Sequence, residues 1–211
     1  MLVLLVHGLG RTPVSLFGLA AVLRRAGHHT TFFAYSPTLE TLPRIRRRLA
    51  RRLRAMARQG KAVGLVGHSL GGLLLRLALA EVPELRVRRL VMLGTPNRPP
   101  RLARLAARWF LFRRLTGDCG RFLSSPDAVA HVPAPAVPYT LVAGAAGPRG
   151  RYSPFGADPN DGVVALAEIP INQSDAPLVF PVWHSFMTDD DAVRGAVVAT
   201  MMTVSESPAR Q

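Results

Sequence analysis

The sequence predicts an α/β fold, a mostly parallel sheet with helices on both faces. Three features carry that prediction. Short apolar runs alternate with segments of helical period, glycines close the helical segments, and one strand–turn–helix junction holds a Gly-x-Ser-x-Gly sequence. Leu2–Val6 reads as a buried strand, and Ser15–Ala26 as a helix closed by Gly27. Thr30–Tyr35, β-branched and aromatic, reads as a second strand. From Thr41 to Arg58 the apolar residues Leu42, Ile45, Leu49, Leu53 and Met56 fall at helical spacing between arginines, and Gly60 ends the helix. Ala62–Val66 is a third strand, Leu70–Ala80 a helix apolar almost all round, and Arg89–Leu93 a fourth strand. Helices between strands act as crossovers, so neighbouring strands run parallel.

Residues 97–137 break the alternation. Leu102, Leu105, Ala106, Trp109, Phe110 and Phe112 interleave there with Arg101, Arg104, Arg108, Arg113 and Arg114. Strands resume at Tyr139–Val142 and near Leu178–Val182, and a last helix starts near Asp189–Asp191, where carboxylates suit a helix N-terminus. Ser205–Gln211 reads as a frayed tail. The expected organisation is one domain over residues 1–211, with 97–137 as a cap or lid insertion.

Composition narrows the class. The chain has 211 residues, 48% of them hydrophobic, and a mean hydropathy of +0.18, which excludes a disordered chain. Cys119 is the only cysteine, so neither an internal disulfide nor a cysteine-based zinc site is expected. The formal charge is +14. It is concentrated: residues 44–114 carry +17, against +2 before and −5 after. Of the 27 basic residues all but Lys61 are Arg. Solvated helix faces from a GC-rich genome account for this better than a phosphate-binding footprint, because no nucleic-acid-binding signature accompanies it. Contact with an anionic membrane remains the second reading, and nucleic acid is not expected. Leu2–Val6 is too short for a signal-peptide core, and no apolar stretch reaches the ~20 residues of a membrane span. A cytoplasmic protein is expected if residue 1 is the native start, and a secreted one if the chain is a processed form.

Gly67-His68-Ser69-Leu70-Gly71 follows a strand and opens a helix, the setting of a nucleophile elbow. A serine hydroxyl needs a base within hydrogen-bond reach, oriented by an acid. Around such an elbow the chain order is Ser, acid, His. After Ser69 only His131 and His184 remain. His131 lies between Pro126 and Pro133 with no strand before it and reads as a surface loop residue. His184 follows directly on a strand and is the expected base. Asp158, Asp161, Glu168 and Asp175 qualify by position as the acid; the turn Asn160-Asp161-Gly162-Val163-Val164 favours Asp161, with Asp158 as its rival. A calcium site at Asp158, Asn160 and Asp161 has the wrong spacing. Oxyanion donors are expected at the backbone N–H of Leu70 and, from His7-Gly8-Leu9-Gly10, of Leu9. His7 and His68 read as braces for the turns beside them.

These residues, with Val6–Arg11, Met92-Leu93-Gly94-Thr95-Pro96-Asn97 and Pro181–Met187, resemble the small bacterial lipase/esterase branch of the α/β-hydrolases, near the lipase-A-like and GPI-inositol-deacylase-like groups. The resemblance implies a minimal α/β-hydrolase fold that begins at the third strand of the full fold and carries a short helical cap. It implies carboxylic ester hydrolysis with Ser69, Asp161 and His184 as triad, Leu9 and Leu70 as oxyanion donors, and no metal or organic cofactor. The expected substrate is a small-molecule or lipid ester of short-to-medium acyl length. Arg98-Pro99-Pro100 departs from the small residues usual after Gly94–Asn97, so the cap is expected to be particular to this chain, with Trp109, Phe110 and Phe112 facing an acyl chain or a membrane. Thioesters, amides, polyesters or acyl transfer are the alternatives at the same site. An idle hydrolase fold docking its basic face on anionic membrane is the alternative of another class.

Overall fold

Six strands form one sheet in the order β2-β1-β3-β4-β5-β6, every neighbouring pair parallel. The computed structural model describes residues 1–203, apart from the Arg113 side chain. The expected tail at 205–211 lies outside the described residues. The strands are β1 (Leu2–Val6), β2 (His29–Phe33), β3 (Val63–His68), β4 (Val87–Leu93), β5 (Tyr139–Gly144) and β6 (Leu178–Phe180). The helices are α1 (Phe17–Arg25), α2 (Leu42–Ala57), α3 (Leu70–Leu79), α4 (Arg101–Ala106), α5 (Phe110–Ser124), α6 (Pro126–Ala130) and α7 (Asp191–Met202).

Period-two alternation in β1 divides the core. Val3 and Leu5 join a cluster with Leu16, Leu19 and Leu23 beside α1 and Val193, Val197 and Met201 of α7. Leu4 and Val6 face the other way, onto Ile45, Leu49 and Leu53 of α2 and Leu70, Leu73 and Leu74 of α3. The helices therefore cover both faces. On α2 Ile45, Leu49, Leu53 and Met56 are buried at helical spacing while Arg44, Arg47 and Arg51 stay exposed. Arg46 pairs with Glu81 at 2.8 Å, and Arg48 pairs with Glu40. This accounts for much of the basic block as a solvated helix face.

Several boundaries differ from expectation for local reasons. The first helix opens as a 3₁₀ turn over Pro13–Leu16 before α1. β2 stops at Phe33, and Tyr35 leaves the sheet to stack on His7. β6 stops at Phe180 because the Val182 N–H turns back to the Phe180 carbonyl at 2.8 Å. The acidic run behaves as a helix start, the Asp190 carboxylate accepting from the Val193 N–H at 3.0 Å.

A parallel sheet gathers all its strand C-termini at one edge. The strand order reverses between β1 and β3, and a crevice outside the carboxyl ends at such a reversal is where open α/β sheets hold ligands. The loops after β1, β3, β4, β5 and β6 carry Leu9, Ser69, Gly94, Asp161 and His184. No described helix is long and apolar enough to cross a membrane.

Candidate active site

Ser69 follows β3 and precedes α3 with φ 53° and ψ −123°, the sole non-glycine among the described residues at positive φ. Strain of that kind persists only where the surroundings over-determine it. They do so here: the Ser69 N–H donates to the Leu93 carbonyl at 2.7 Å, and the Thr95 hydroxyl donates to the Ser69 carbonyl at 3.1 Å. A Cβ on Gly67 would lie 2.5 Å from Gly72 Cα, and one on Gly71 would strike the Val6 and His7 carbonyls. The flanking glycines thus let the turn close against backbone.

His184 begins a short 3₁₀ turn after β6. Its Nδ1 lies 2.7 Å from Asp161 Oδ2, and both residues are buried. The other carboxylate oxygen accepts from the N–H groups of Val163 at 2.9 Å and Val164 at 2.7 Å. The His184 N–H donates to the Asp161 carbonyl at 2.8 Å. A carboxylate accepts, so Nδ1 carries the proton and Nε2 is left basic. Ser69 and His184 line one cavity, although no hydrogen bond joins their side chains. In unliganded sites such contacts are often long.

The other acids are engaged elsewhere. Asp158 pairs with Arg101 at 2.7 Å, and Asp175 accepts from the Tyr139 hydroxyl at 2.7 Å. Glu168 accepts from the N–H groups of Arg101 and Ala165 at 2.9 and 3.0 Å. Burial pushes its carboxyl above the usual range. His131 is exposed at the end of α6, its Nδ1 donating to the Asp127 carbonyl at 2.6 Å.

His7 and His68 brace the two loops beside Ser69. His7 Nδ1 donates to the Gly8 carbonyl at 2.9 Å, and Nε2 accepts from the Tyr35 N–H at 3.3 Å. These partners require a neutral ring, in keeping with burial, which lowers its pKa. His68 Nε2 donates to the His184 carbonyl at 3.1 Å. Burial and then the neighbouring His184 hold His68 well below the usual histidine range. Gly8 lies against Ser69, since a Cβ there would stand 3.0 Å from Ser69 Cβ. Leu9 follows and lines the cavity. Leu70 opens α3, where its N–H has no intrahelical acceptor.

The cavity measures about 230 Å³. Leu102, Ala103, Ala106, Phe112 and Leu123 form its wall from the β4–β5 connection. Trp109 and Phe110 are absent from that wall and project outward, 74% and 73% exposed. The three aromatics expected to act together are therefore split, with Phe112 alone facing the cavity. Helical geometry explains the division, because Phe112 lies two residues, about 200°, round the helix from Phe110. Gly117, at φ 50°, breaks the helix further on, into an outer turn with exposed Leu111 and Leu115 and an inner one with buried Cys119 and Phe122. Burial pushes the Cys119 thiol up to about 12, so it stays protonated.

Gly94, Asn97 and Arg76 also shape the site, in ways their sequence context does not reveal. A Cβ on Gly94, at φ 55°, would stand 3.0 Å from the His184 ring and 3.3 Å from Asp161 Oδ2. Arg76 is buried, and burial lowers it to about 10, still charged at neutral pH. It donates to Asn97 Oδ1 and the Val132 carbonyl at 2.7 Å each, tying both ends of the connection to α3. Gly94 and Asn97 lie within the Met92–Asn97 motif. Arg76 gave no signal beyond an arginine on an apolar helix.

Solved structures share this architecture. The mature lipase BlEst2 of Bacillus licheniformis matches with a TM-score of 0.74 at 23% identity, over 96% of this chain and 91% of that one. Phospholipase PlaB of Legionella pneumophila matches with a TM-score of 0.69 at 16% identity, over 98% of this chain and 61% of that one, so this chain spans under two thirds of PlaB. The RedJ thioesterase of Streptomyces coelicolor matches with a TM-score of 0.60 at 16% identity, over 94% and 83% of the two chains. At these identities the likeness is one of fold. No curated protein matches the chain. Residues 3–208 match the alpha/beta hydrolase family, and the chain belongs to that family.

Proposed function

We propose that this chain is a serine carboxylic ester hydrolase acting on short-to-medium acyl esters. The observation that carries the proposal is His184, held by Asp161 as the Nδ1–H tautomer in the same largely apolar cavity as the strained Ser69. Ser69 Oγ attacks the ester carbonyl carbon while His184 Nε2 takes the hydroxyl proton. Asp161 stabilises the resulting imidazolium without itself taking the proton. The N–H groups of Leu9 and Leu70 meet the oxyanion as it forms. Collapse breaks the bond to the alcohol oxygen, which leaves with the proton from His184. Water then attacks the acyl-enzyme by the same route and releases the acid. The sequence of steps calls on no metal or organic cofactor.

The β4–β5 connection acts as the cap in this reading. Its inner side, with Phe112, receives the acyl chain. Its outer side, with Trp109, Phe110 and Leu111 exposed beside Arg104, Arg108 and Arg114, suits an anionic lipid surface, where aromatic rings enter the headgroup boundary and arginines meet phosphates.

The test is hydrolysis of p-nitrophenyl esters from acetate to laurate by the wild type and by Ser69→Ala. A loss of about 10⁴-fold or more in kcat is expected in the variant. Wild-type protein inactive on every ester overturns the proposal. The chain-length profile measures the depth of the apolar wall.

A further inference from the structure

We infer that Arg11 makes the site selective for esters whose alcohol part carries an anion, either carboxylate or phosphate. The inference rests on the serine-hydrolase reading for the direction of the substrate. Arg11 follows Gly10, at φ 66°, in the loop after β1, and it lines the cavity. One guanidinium nitrogen donates to the Ser185 carbonyl at 2.6 Å. That partner is neutral, and among the described residues no carboxylate lies within ion-pair distance of Arg11. Two other arginines near this edge are matched, Arg101 by Asp158 and Glu168 and Arg194 by Asp189 and Asp191.

Arg11 is the one permanently charged side chain in the described wall of the cavity, and that wall contains no acid. A guanidinium offers five N–H donors in a planar fork, and the Ser185 carbonyl occupies one of them. The remaining donors and the whole positive charge are open to a ligand. Their direction follows from the chemistry. His184 must hand its proton to the departing alcohol oxygen, so the alcohol part lies on the His184 side of the scissile bond. Arg11 grips Ser185, the residue after His184, and therefore flanks that part. The wall from Leu102, Ala103, Ala106 and Phe112 is apolar and would leave an anion unpaired. An amphiphilic ester fits, its acyl chain along the cap and its anionic alcohol at Arg11.

The experiment compares butyrate esters of p-nitrophenol and of 5-hydroxy-2-nitrobenzoate, which place no charge or a carboxylate on the alcohol side. Arg11→Gln is expected to lower kcat/KM for the anionic ester about tenfold more than for the neutral one, the size of one partly exposed charge-assisted contact. Arg11→Glu is expected to widen that gap. p-Nitrophenyl hemisuccinate, with its carboxylate on the acyl side, is expected to show no such dependence. Monobutyrin and butyryl glycerol 3-phosphate repeat the comparison with phosphate, and the larger Arg11 effect of the two pairs identifies the preferred anion.

Equal effects of Arg11→Gln on neutral and anionic esters overturn the inference and leave the hydrolase reading standing. A dependence as large for the hemisuccinate overturns the alcohol-side placement. Turnover that does not require Ser69 overturns the hydrolase reading instead. Dissociation constants of the two nitrophenyl esters, measured calorimetrically in Ser69→Ala with and without Arg11→Gln, then decide the Arg11 question without catalysis. A melting curve for each variant separates lost contacts from lost fold.

Discussion

The β3–α3 elbow and helix α4 of the β4–β5 connection line the same cavity and are built on opposite terms. Every residue from Val63 to Arg76 is buried, including the charged Arg76. Helix α4, by contrast, has no buried residue at all. The elbow is held by backbone against backbone, Gly67 on Gly72 and Gly71 on the β1 carbonyls. The connection is held at its ends by Arg76, through Asn97 and the Val132 carbonyl, and midway by the Thr38 hydroxyl, which donates to the Leu115 carbonyl at 2.6 Å beside the Gly117 break. Interiors packed at crystal-like density leave no freedom to the group that must meet a reacting atom within tenths of an ångström. A segment with few buried contacts opens at low cost. Under the proposed function, positioning falls to the elbow and access to the β4–β5 connection.

The sharpest way to break that comparison is Gly71→Ala. The added methyl group meets two β1 carbonyls that are themselves fixed in the sheet, so the strand or the helix must move. A stability loss above about 3 kcal/mol is expected, read as a lower urea midpoint. Arg108→Ala in the exposed cap should stay within about 0.5 kcal/mol of wild type in the same assay. Similar losses for the two would erase the distinction.

A smaller effect comes from pH. His7 and His68 are buried with their pKa values lowered, chiefly by burial. Above about pH 6.5 they are neutral in both folded and unfolded chains and contribute no slope. As pH falls below that value the unfolded chain gains protons that the folded chain refuses, so stability falls. The slope reaches at most about 1.4 kcal/mol per pH unit for each histidine. Melting temperature should therefore fall between pH 6.5 and 5, and His68→Asn should flatten the fall. Glu168, raised by burial, runs the opposite way just above its unfolded value, so the histidine variant is what isolates the slope. A variant as acid-sensitive as wild type would show that the elbow does not carry this term.

The same division governs what could be seen in the sequence. The elbow was legible because its constraints are local: an apolar run, two glycines and a helix-period segment lie within 20 residues. The Asn160–Gly162 turn pointed to the carboxylate that touches His184 for the same reason, since the Val163 and Val164 N–H groups that hold it are its near neighbours. The engagement of Asp158 by Arg101 was not legible. Neither was the tie from Arg76 to Asn97, because those partners are 57 and 21 residues apart. Nor was the outward turn of Trp109 and Phe110, 74% and 73% exposed while Phe112 lines the cavity. Apolar spacing alone gives a helix its faces and does not say which of them meets the cavity.

The smallest expected effect on stability sharpens the comparison from the cap side. Trp109→Ser with Phe110→Ser removes two rings that are about three-quarters exposed at 74% and 73%, so the urea midpoint should change by less than the equivalent of about 0.5 kcal/mol. Co-sedimentation with phosphatidylglycerol vesicles should fall about tenfold or more, since even partial burial of two aromatic rings in the headgroup boundary exceeds the ~1.4 kcal/mol that tenfold requires. Phosphatidylcholine vesicles should bind the wild type less well, because Arg104, Arg108 and Arg114 would lose their anionic partners. Vesicle binding unchanged by the double substitution would remove the aromatic face from the interfacial reading. The outer turn of α5 would then be a lid meeting only water, and the exposure of its rings would need another partner to explain it.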